Sequence, residues 1–386
     1  MPPRATRIAV LGPHGYGWSH RRAIHRLQLA RRVRLVAFGA RGPVRAAADA
    51  PTDGVPFYRD HQRLLAEIEP DVVVIATPTH AHLPLALDCA AAGADLLVEK
   101  PAVASLADFE ELMRAINRHN TACQVGFQAL ASPALRELVN ALHTARLGPL
   151  RTVSVVGSWW RSDAYFGRNA WAGQPPPAVD GAVANQFSHA IVHCLAIAEA
   201  VGPSSAPAVL EIERYRAGPI SVDDTACLRI TRDGGVRLHA AVTIRGTELI
   251  RGDIAVVGGD QRADLEYPTD RLRLPDDARW RTVTGRVSLL DNLLAHRDGQ
   301  AELVAPLRRT EAFTAVLEAV LAGPAPTPIE RRYLRPHPAG DGLAIAGIAD
   351  LLRGASAEMA LFSEVGVPWA RKPHRVAIDI TGAIPR

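Results

Sequence analysis

Residues 71–101, DVVVIATPTHAHLPLALDCAAAGADLLVEKP, admit few architectures. The run at 72–75 is short, apolar, β-branched and without alternation, which is the pattern of a strand covered on both faces, and Thr77-Pro78 stops it. Residues 83–92 have helical composition and Gly93 ends them. Residues 95–98 then return as a second strand that delivers Glu99-Lys100-Pro101 to the carboxyl edge of a parallel sheet. Ligands of doubly wound α/β sheets bind in the crevice at that edge.

The amino terminus extends the pattern. A buried strand at 7–11 runs into Gly12-Pro13-His14-Gly15-Tyr16-Gly17 and a helix to about residue 30. A dinucleotide fingerprint has glycines first, third and sixth, for the turn, the approach of backbone to pyrophosphate, and helix packing. His14 holds the third place here, so the loop reads either as a phosphate cradle reached through Gly15, with His14 facing a phosphate, or as a tight structural turn. The second strand, 33–38, lacks the acid that holds a ribose 2′-hydroxyl in NAD binders. It leads instead to Ala40-Arg41, and an arginine there suits a 2′-phosphate, favouring NADP over NAD; a solvated surface arginine is the other reading.

With RIAVLGPHGYG, ATPTHAH, AGADLLVEKP, VGFQ at 125–128 and NQFSHAIVH at 185–193, the chain resembles the glucose-fructose oxidoreductase / inositol dehydrogenase / rhizopine catabolism (Gfo/Idh/MocA) family over most of its length. The resemblance implies a Rossmann-type α/β domain, over 1–126, followed by an α+β domain with a large, mainly antiparallel open sheet, over 127–386. It implies an NADP- or NAD-dependent oxidoreductase acting on a sugar, glycoside or cyclitol, with Lys100 of EKP and His189 as catalytic residues. Gly12, His14, Gly15, Tyr16, Gly17, Ala40, Arg41, Thr77, Pro78, His82, Glu99 and Lys100 are the expected cofactor contacts. Asn185, Gln128, Arg161, Tyr165, Trp171 and His193 are the expected substrate contacts. The chain departs from the family's D-x-G-x-H-x-x-D helix pattern: Asn185, Phe187 and Val192 replace its first acid, glycine and last acid, and Ala129 replaces a common arginine. Asn185 can hydrogen-bond a hydroxyl but cannot take a proton.

Length and composition fit two soluble domains. A chain of 386 residues exceeds the size at which one core stops growing, and 48% apolar with 22% charged residues is ordinary for a globular protein. The +4 net charge comes from 44 basic against 40 acidic residues, with no basic run interleaved with aromatics, so no nucleic-acid partner is expected. No apolar span long enough for a membrane occurs and the start is too short for a signal peptide, so a cytoplasmic protein is expected. The four cysteines, without ligand spacing, read as reduced core thiols, and His80 with His82 lack a third metal partner, so no metal is expected.

Beyond residue 128 the period changes to two. Segments 151–160, 209–216 and 226–232 alternate, and the last pairs through Asp233-Gly234-Gly235 with 236–244. A second hairpin is expected over 254–274 around Gly258-Gly259-Asp260, with helices at about 183–200, 312–321 and 343–352. Such an open sheet needs cover, which predicts a homodimer or homotetramer. The segment 157–173 concentrates aromatics, read either as a sugar-stacking wall or as sheet packing. His193, one turn beyond His189, competes with it for the catalytic role. An NAD-dependent glycosidase and a non-catalytic dinucleotide-binding sensor are the alternative functions; retention of both Lys100 and His189 argues against the sensor.

Overall fold

The computed structural model describes residues 4–380 apart from 53, 169, 203 and 205. The chain divides into two compact units, residues 1–127 with 288–310, and residues 128–287 with 311–386.

The first unit is a six-stranded parallel sheet. Its strands are β1 (Thr6–Leu11), β2 (Val33–Gly39), β3 (Phe57–Tyr58), β4 (Val72–Ile75), β5 (Asp95–Val98) and β6 (Cys123–Val125), in the spatial order β3-β2-β1-β4-β5-β6. All four residues of β4 are fully buried, as its unalternating β-branched run requires. Helices α1 (Gly17–Leu29), α2 (His61–Ile68), α3 (His82–Ala91) and α4 (Leu106–His119) connect the strands. The order reverses between β1 and β4, and both strands end at the glycine loop and the Thr77-Pro78 turn. That is the switch point where such sheets bind ligands.

Residues 288–310 return to this unit, although the expected first domain stopped at residue 126. The return is held by polar groups. Gln124 is fully buried on β6; its amide donates to Asn292 at 2.6 Å, and its carbonyl accepts from the Ala305 N–H at 3.0 Å.

In the second unit α5 (Pro133–His143) precedes a ten-stranded sheet. Strands β7 (Leu150–Trp160), β8 (Ala208–Arg216), β9 (Thr225–Thr231), β10 (Arg237–Thr243), β11 (Arg245–Gly258), β12 (Gln261–Glu266), β13 (Arg271–Arg273), β14 (Arg281–Thr282) and β15 (Thr327–Pro328) lie in the order β14-β13-β12-β11-β7-β10-β9-β8-β15. The two expected hairpins form as antiparallel β9–β10 and β11–β12 pairs, whereas β10 runs parallel to β7. Two further strands, β16 (Leu334–Pro336) and β17 (Leu343–Ile345), pair with each other, and β18 (His374–Ile378) lies on β8.

Helix α6 (Asp163–Phe166) is a single turn, and α7 (Ser188–Glu199) follows a π-helical turn at Ala182–Gln186. In the first unit α8 is Leu289–Arg297; in the second, α9 is Glu311–Ala322 and α10 is Ile348–Glu358. The helix expected over 343–352 is therefore displaced. Residues 343–345 are strand, and Gly347, at φ +67°, starts α10 beyond them. Both α7 and α10 pack on β7, and six consecutive buried residues, 153–158, show that its middle is covered on both faces.

Candidate active site

The glycine loop of the first unit takes its shape from backbone crowding. Gly12, at φ +81°, passes so close to the next strand that a Cβ there would lie 2.6 Å from the Ala76 carbonyl oxygen. A Cβ on Gly17 would sit 1.9 Å from the Gly12 oxygen, so the first and sixth positions require glycine. The missing third glycine is replaced one residue later: Gly15 has φ +54° with nothing within 4 Å of its Cβ position. His14, Gly15 and Tyr16 are exposed. Helix α1 then begins with no side-chain cap and no acid in its first turn, leaving the positive end of its dipole for an anion. Beside it, the buried Thr77 hydroxyl oxygen has no hydrogen-bond partner among the described residues. An open left-handed glycine, a bare helix N-terminus and an orphaned hydroxyl fit a dinucleotide pyrophosphate.

At the end of β2, Ala40 is half-buried and Arg41 exposed. The acid nearest in sequence after β3 is already engaged: Asp60 caps α2, accepting from the Gln62 N–H at 2.9 Å.

Glu99 and Lys100 follow β5. The Glu99 carboxylate is 2.7 Å from His20 Nε2 on α1, and a Cβ on Gly126 would press to 2.8 Å from its Oε2, so the acid is wedged between α1 and the β6 end. Lys100 is half-buried, with a cis peptide to Pro101. His82 does not reach toward a cofactor. It is fully buried, with Nδ1 2.9 Å from the Pro101 carbonyl oxygen and Nε2 2.8 Å from that of Thr77. Burial pushes its pKa down and the facing carbonyl oxygens oppose that shift, and the ring spans the space between the Thr77 turn and the EKP turn. The expected cofactor contact at His82 is thus corrected to a brace between two loops. Pro78 is exposed at the rim of the same edge.

In the second unit, every residue of 181–198 is buried except Asn185 and His189. They are one helical turn apart and present a single polar notch in an apolar segment. Asn185 donates from Nδ2 to Asp180 at 2.8 Å. Asp180 was not legible as a site residue; it stands in the loop after the Pro175-Pro176-Pro177 run. His193 is fully buried, its Nδ1 3.1 Å from the His189 carbonyl oxygen and its ring 5.3 Å from that of Tyr267. It packs in the core, which corrects its assignment as a substrate contact and leaves His189 at the surface of the notch.

Phe187, where the family pattern has glycine, is accommodated by a glycine elsewhere. A Cβ on Gly157 of β7 would lie 2.1 Å from Phe187 Cε1, and Trp159 packs on the same ring at 4.4 Å. Trp160 stacks on His337 at 3.6 Å. These two tryptophans are packing residues. Arg161, Tyr165 and Trp171 are half-buried and drawn together through guanidinium groups: Arg161 lies 5.1 Å from the Tyr165 ring, and Arg168 lies 3.7 Å from Tyr165 and 5.1 Å from Trp171. The fully buried Arg245 anchors this segment through Asp163 of α6 at 2.7 Å and Asp224 at 3.4 Å. Burial raises the Asp224 pKa and the guanidinium opposes the rise. Gln128 is half-buried, its carbonyl accepting from Arg286 at 2.8 Å. Lys100 and the glycine loop thus belong to the first unit, and Gln128, Arg161, Tyr165, Trp171, Asn185 and His189 to the second.

Among the described residues no group of three or more His, Cys, Asp or Glu is arranged to hold a metal ion, and no helix is long and apolar enough to cross a membrane.

Residues 6–127 match the family described as oxidoreductase family, NAD-binding Rossmann fold. Inositol 2-dehydrogenase 1 of Saccharopolyspora erythraea is 30% identical over 143 residues, 37% of this chain and 42% of the relative, so that match spans less than half the relative's length. Inositol 2-dehydrogenase 2 of the same organism is 27% identical over 348 residues, 89% of this chain and 91% of the relative. In fold, the chain resembles a WlbA dehydrogenase from Bordetella pertussis, solved in complex with NADH and UDP-GlcNAcA, at a TM-score of 0.70 and 23% identity over 82% of this chain and 95% of that one.

Proposed function

We propose that the chain, whose residues 6–127 match the oxidoreductase family with an NAD-binding Rossmann fold, transfers hydride between a nicotinamide dinucleotide and a secondary alcohol or ketone of a sugar or cyclitol. The observation that carries the reading is that Asn185 and His189 alone are partly exposed in the otherwise buried segment 181–198, together with a dinucleotide cradle in the first unit. Similarity to inositol 2-dehydrogenase 2 over 89% of the chain supports the substrate class.

Gly12, Gly15, Gly17 and Thr77 would hold the pyrophosphate, and Arg41 the 2′-phosphate of NADP, which the missing acid at the end of β2 favours. The dinucleotide, when bound, accepts or supplies the hydride. The protein's own residues handle the proton and the oxygen. In oxidation His189 takes the hydroxyl proton as general base, Lys100 stabilises developing negative charge on the oxygen, and Asn185 orients the hydroxyl. Arg161, Tyr165 and Trp171 supply the stacking and hydrogen-bonding surface that a sugar ring requires.

The test is a fluorescence titration with NADP(H) and NAD(H), followed by an absorbance screen of myo-inositol, hexoses, uronates and glycosides with both dinucleotides. Tight dinucleotide binding with turnover of at least one polyol is the expected result. Release of aglycone without net change in NAD(P)H would instead identify a glycosidase, and binding without any turnover a sensor.

A further inference from the structure

We propose that Asp180 is a positioning residue for the reaction: its buried carboxylate fixes the orientation of the Asn185 amide, and the two side chains work as one unit. The inference rests on the role given above to Asn185 and His189.

Asp180 is 2% exposed, and a carboxylate so deeply buried is costly unless donors surround it. Its three donors are all N–H groups of amides. Oδ2 accepts from the Gly173 backbone at 2.8 Å, and Oδ1 accepts from Asn185 Nδ2 at 2.8 Å and from Gln186 Nε2 at 3.3 Å. Asn185 and Gln186 reach the same oxygen because the chain makes a π-turn there: the Gln186 and Phe187 N–H groups bond back to the Gly181 and Ala182 carbonyls at 3.3 and 2.8 Å. The wider turn brings successive side chains over one acid, as π-turns at functional sites do.

The turn does not need Asp180 to hold it. Asp223, also buried, accepts from the Val183 N–H at 3.1 Å and pairs with Arg214 at 3.4 Å, and so secures the backbone. Asp180 bridges the Gly173 backbone to the Asn185 and Gln186 side chains. A carboxylate oxygen accepts hydrogen bonds, so the Asn185 amide turns Nδ2, not Oδ1, toward it. Held that way, the amide keeps one orientation in the notch. The negative charge missing from helix position 185 is thus present in the preceding loop, one hydrogen bond away.

This geometry makes a charge swap the decisive experiment. Asn185→Asp alone sets two carboxylates against each other where a 2.8 Å hydrogen bond stood. Asp180→Asn alone removes the charge that fixes the amide. The double variant Asp180→Asn/Asn185→Asp restores a complementary pair: the amide then in the loop can donate to the carboxylate then on the turn and still accept from the Gly173 N–H, while the Gln186 amide, which donates to the same oxygen in the wild type, turns its Oε1 to the new N–H. Turnover would be measured with the polyol most active in the wild-type screen, alongside dinucleotide Kd and Tm for each variant. Both single variants should lose kcat/KM on the order of tenfold or more with unchanged dinucleotide Kd, and the swap should recover to within about threefold of wild type.

Asp180→Asn turning over like wild type, or a swap no better than the worse single variant, overturns the positioning role. Should a single variant fail to fold, the swap decides alone, because recovery of both Tm and turnover supports the pair and recovery of Tm without turnover refutes it. A wild type that binds dinucleotide but turns over no polyol refutes the underlying reading of the site, a result distinct from failure of the swap.

Discussion

Gly157 and Phe187 form a complementary pair whose disruption can be worked from the structure. A Cβ added at Gly157 would stand 2.1 Å from Phe187 Cε1 and 2.7 Å from Cδ1, where unstrained carbon atoms stay about 3.5 Å or more apart. Phe187 is fully buried, with Trp159 on its ring at 4.4 Å, so it has no solvent side into which to retreat. Overpacking of this kind costs about 1 to 3 kcal/mol, and an overlap of about 1.4 Å puts Gly157→Ala at the upper end. At about 2 to 4 °C per kcal/mol for a domain of this size, the Tm should fall by about 6 to 12 °C. Phe187→Ala should cost about 3 to 5 kcal/mol through the cavity it leaves. In the double variant the added methyl enters that cavity, so the two losses should fall short of their sum by about 2 to 3 kcal/mol. Urea unfolding followed by tryptophan fluorescence reads this directly, because Trp159 touches the perturbed ring. A Gly157→Ala stability within about 0.5 kcal/mol of wild type, or additive losses, would refute the packing argument.

Lys100→Ala and His189→Ala should each reduce kcat by about a hundredfold or more while dinucleotide Kd stays near wild type, measured by steady-state kinetics and fluorescence titration; near-normal turnover in either would reassign that residue. Arg41→Ala should weaken NADP(H) about tenfold or more and leave NAD(H) unchanged, and equal effects on both would remove Arg41 from the 2′-phosphate. Stability should also depend on pH through His239, whose ring lies 2.9 Å from the Ala360 carbonyl oxygen and whose pKa burial pushes down from 6.5 to about 4. The native state holds this ring neutral, so its contribution is complete above pH 6.5 and is lost as the unfolded chain takes up the proton between about pH 6.5 and 4. The loss amounts to about 3 kcal/mol by pH 4, and His239→Phe should flatten that slope in urea titrations; an unchanged slope would place the proton uptake elsewhere.

Local periodicity carried most of the architecture. The unalternating run of β4 and the Gly-Gly turn before β10 each encode their neighbours within a few residues, so strand type and pairing were readable. What was hidden depends on long-range polar contacts. The return of residues 288–310 joins Gln124 to Asn292 and buries the leucines of α8, contacts between residues far apart in sequence that no local pattern announces. The strand at Leu343–Ile345 was read as helix because its apolar residues precede a helix that Gly347 actually starts. In the site, the spacing of His189 and His193 placed both on one helix face, but only packing against Tyr267 shows that His193 is enclosed. Asp180 carried no signal because its meaning comes from a π-turn that five residues of ordinary composition do not announce.

The central claim is hydride transfer that needs a dinucleotide in the first unit and a proton acceptor at His189 in the second. A direct measurement is single-turnover NAD(P)H formation with the most active polyol, comparing wild type with His189→Ala across pH. The account predicts a wild-type rate that rises with pH as the base loses its proton, and a variant that binds dinucleotide normally but forms NAD(P)H at least about a hundredfold more slowly and without that rise. A variant with the same rate and the same pH profile as wild type would contradict it.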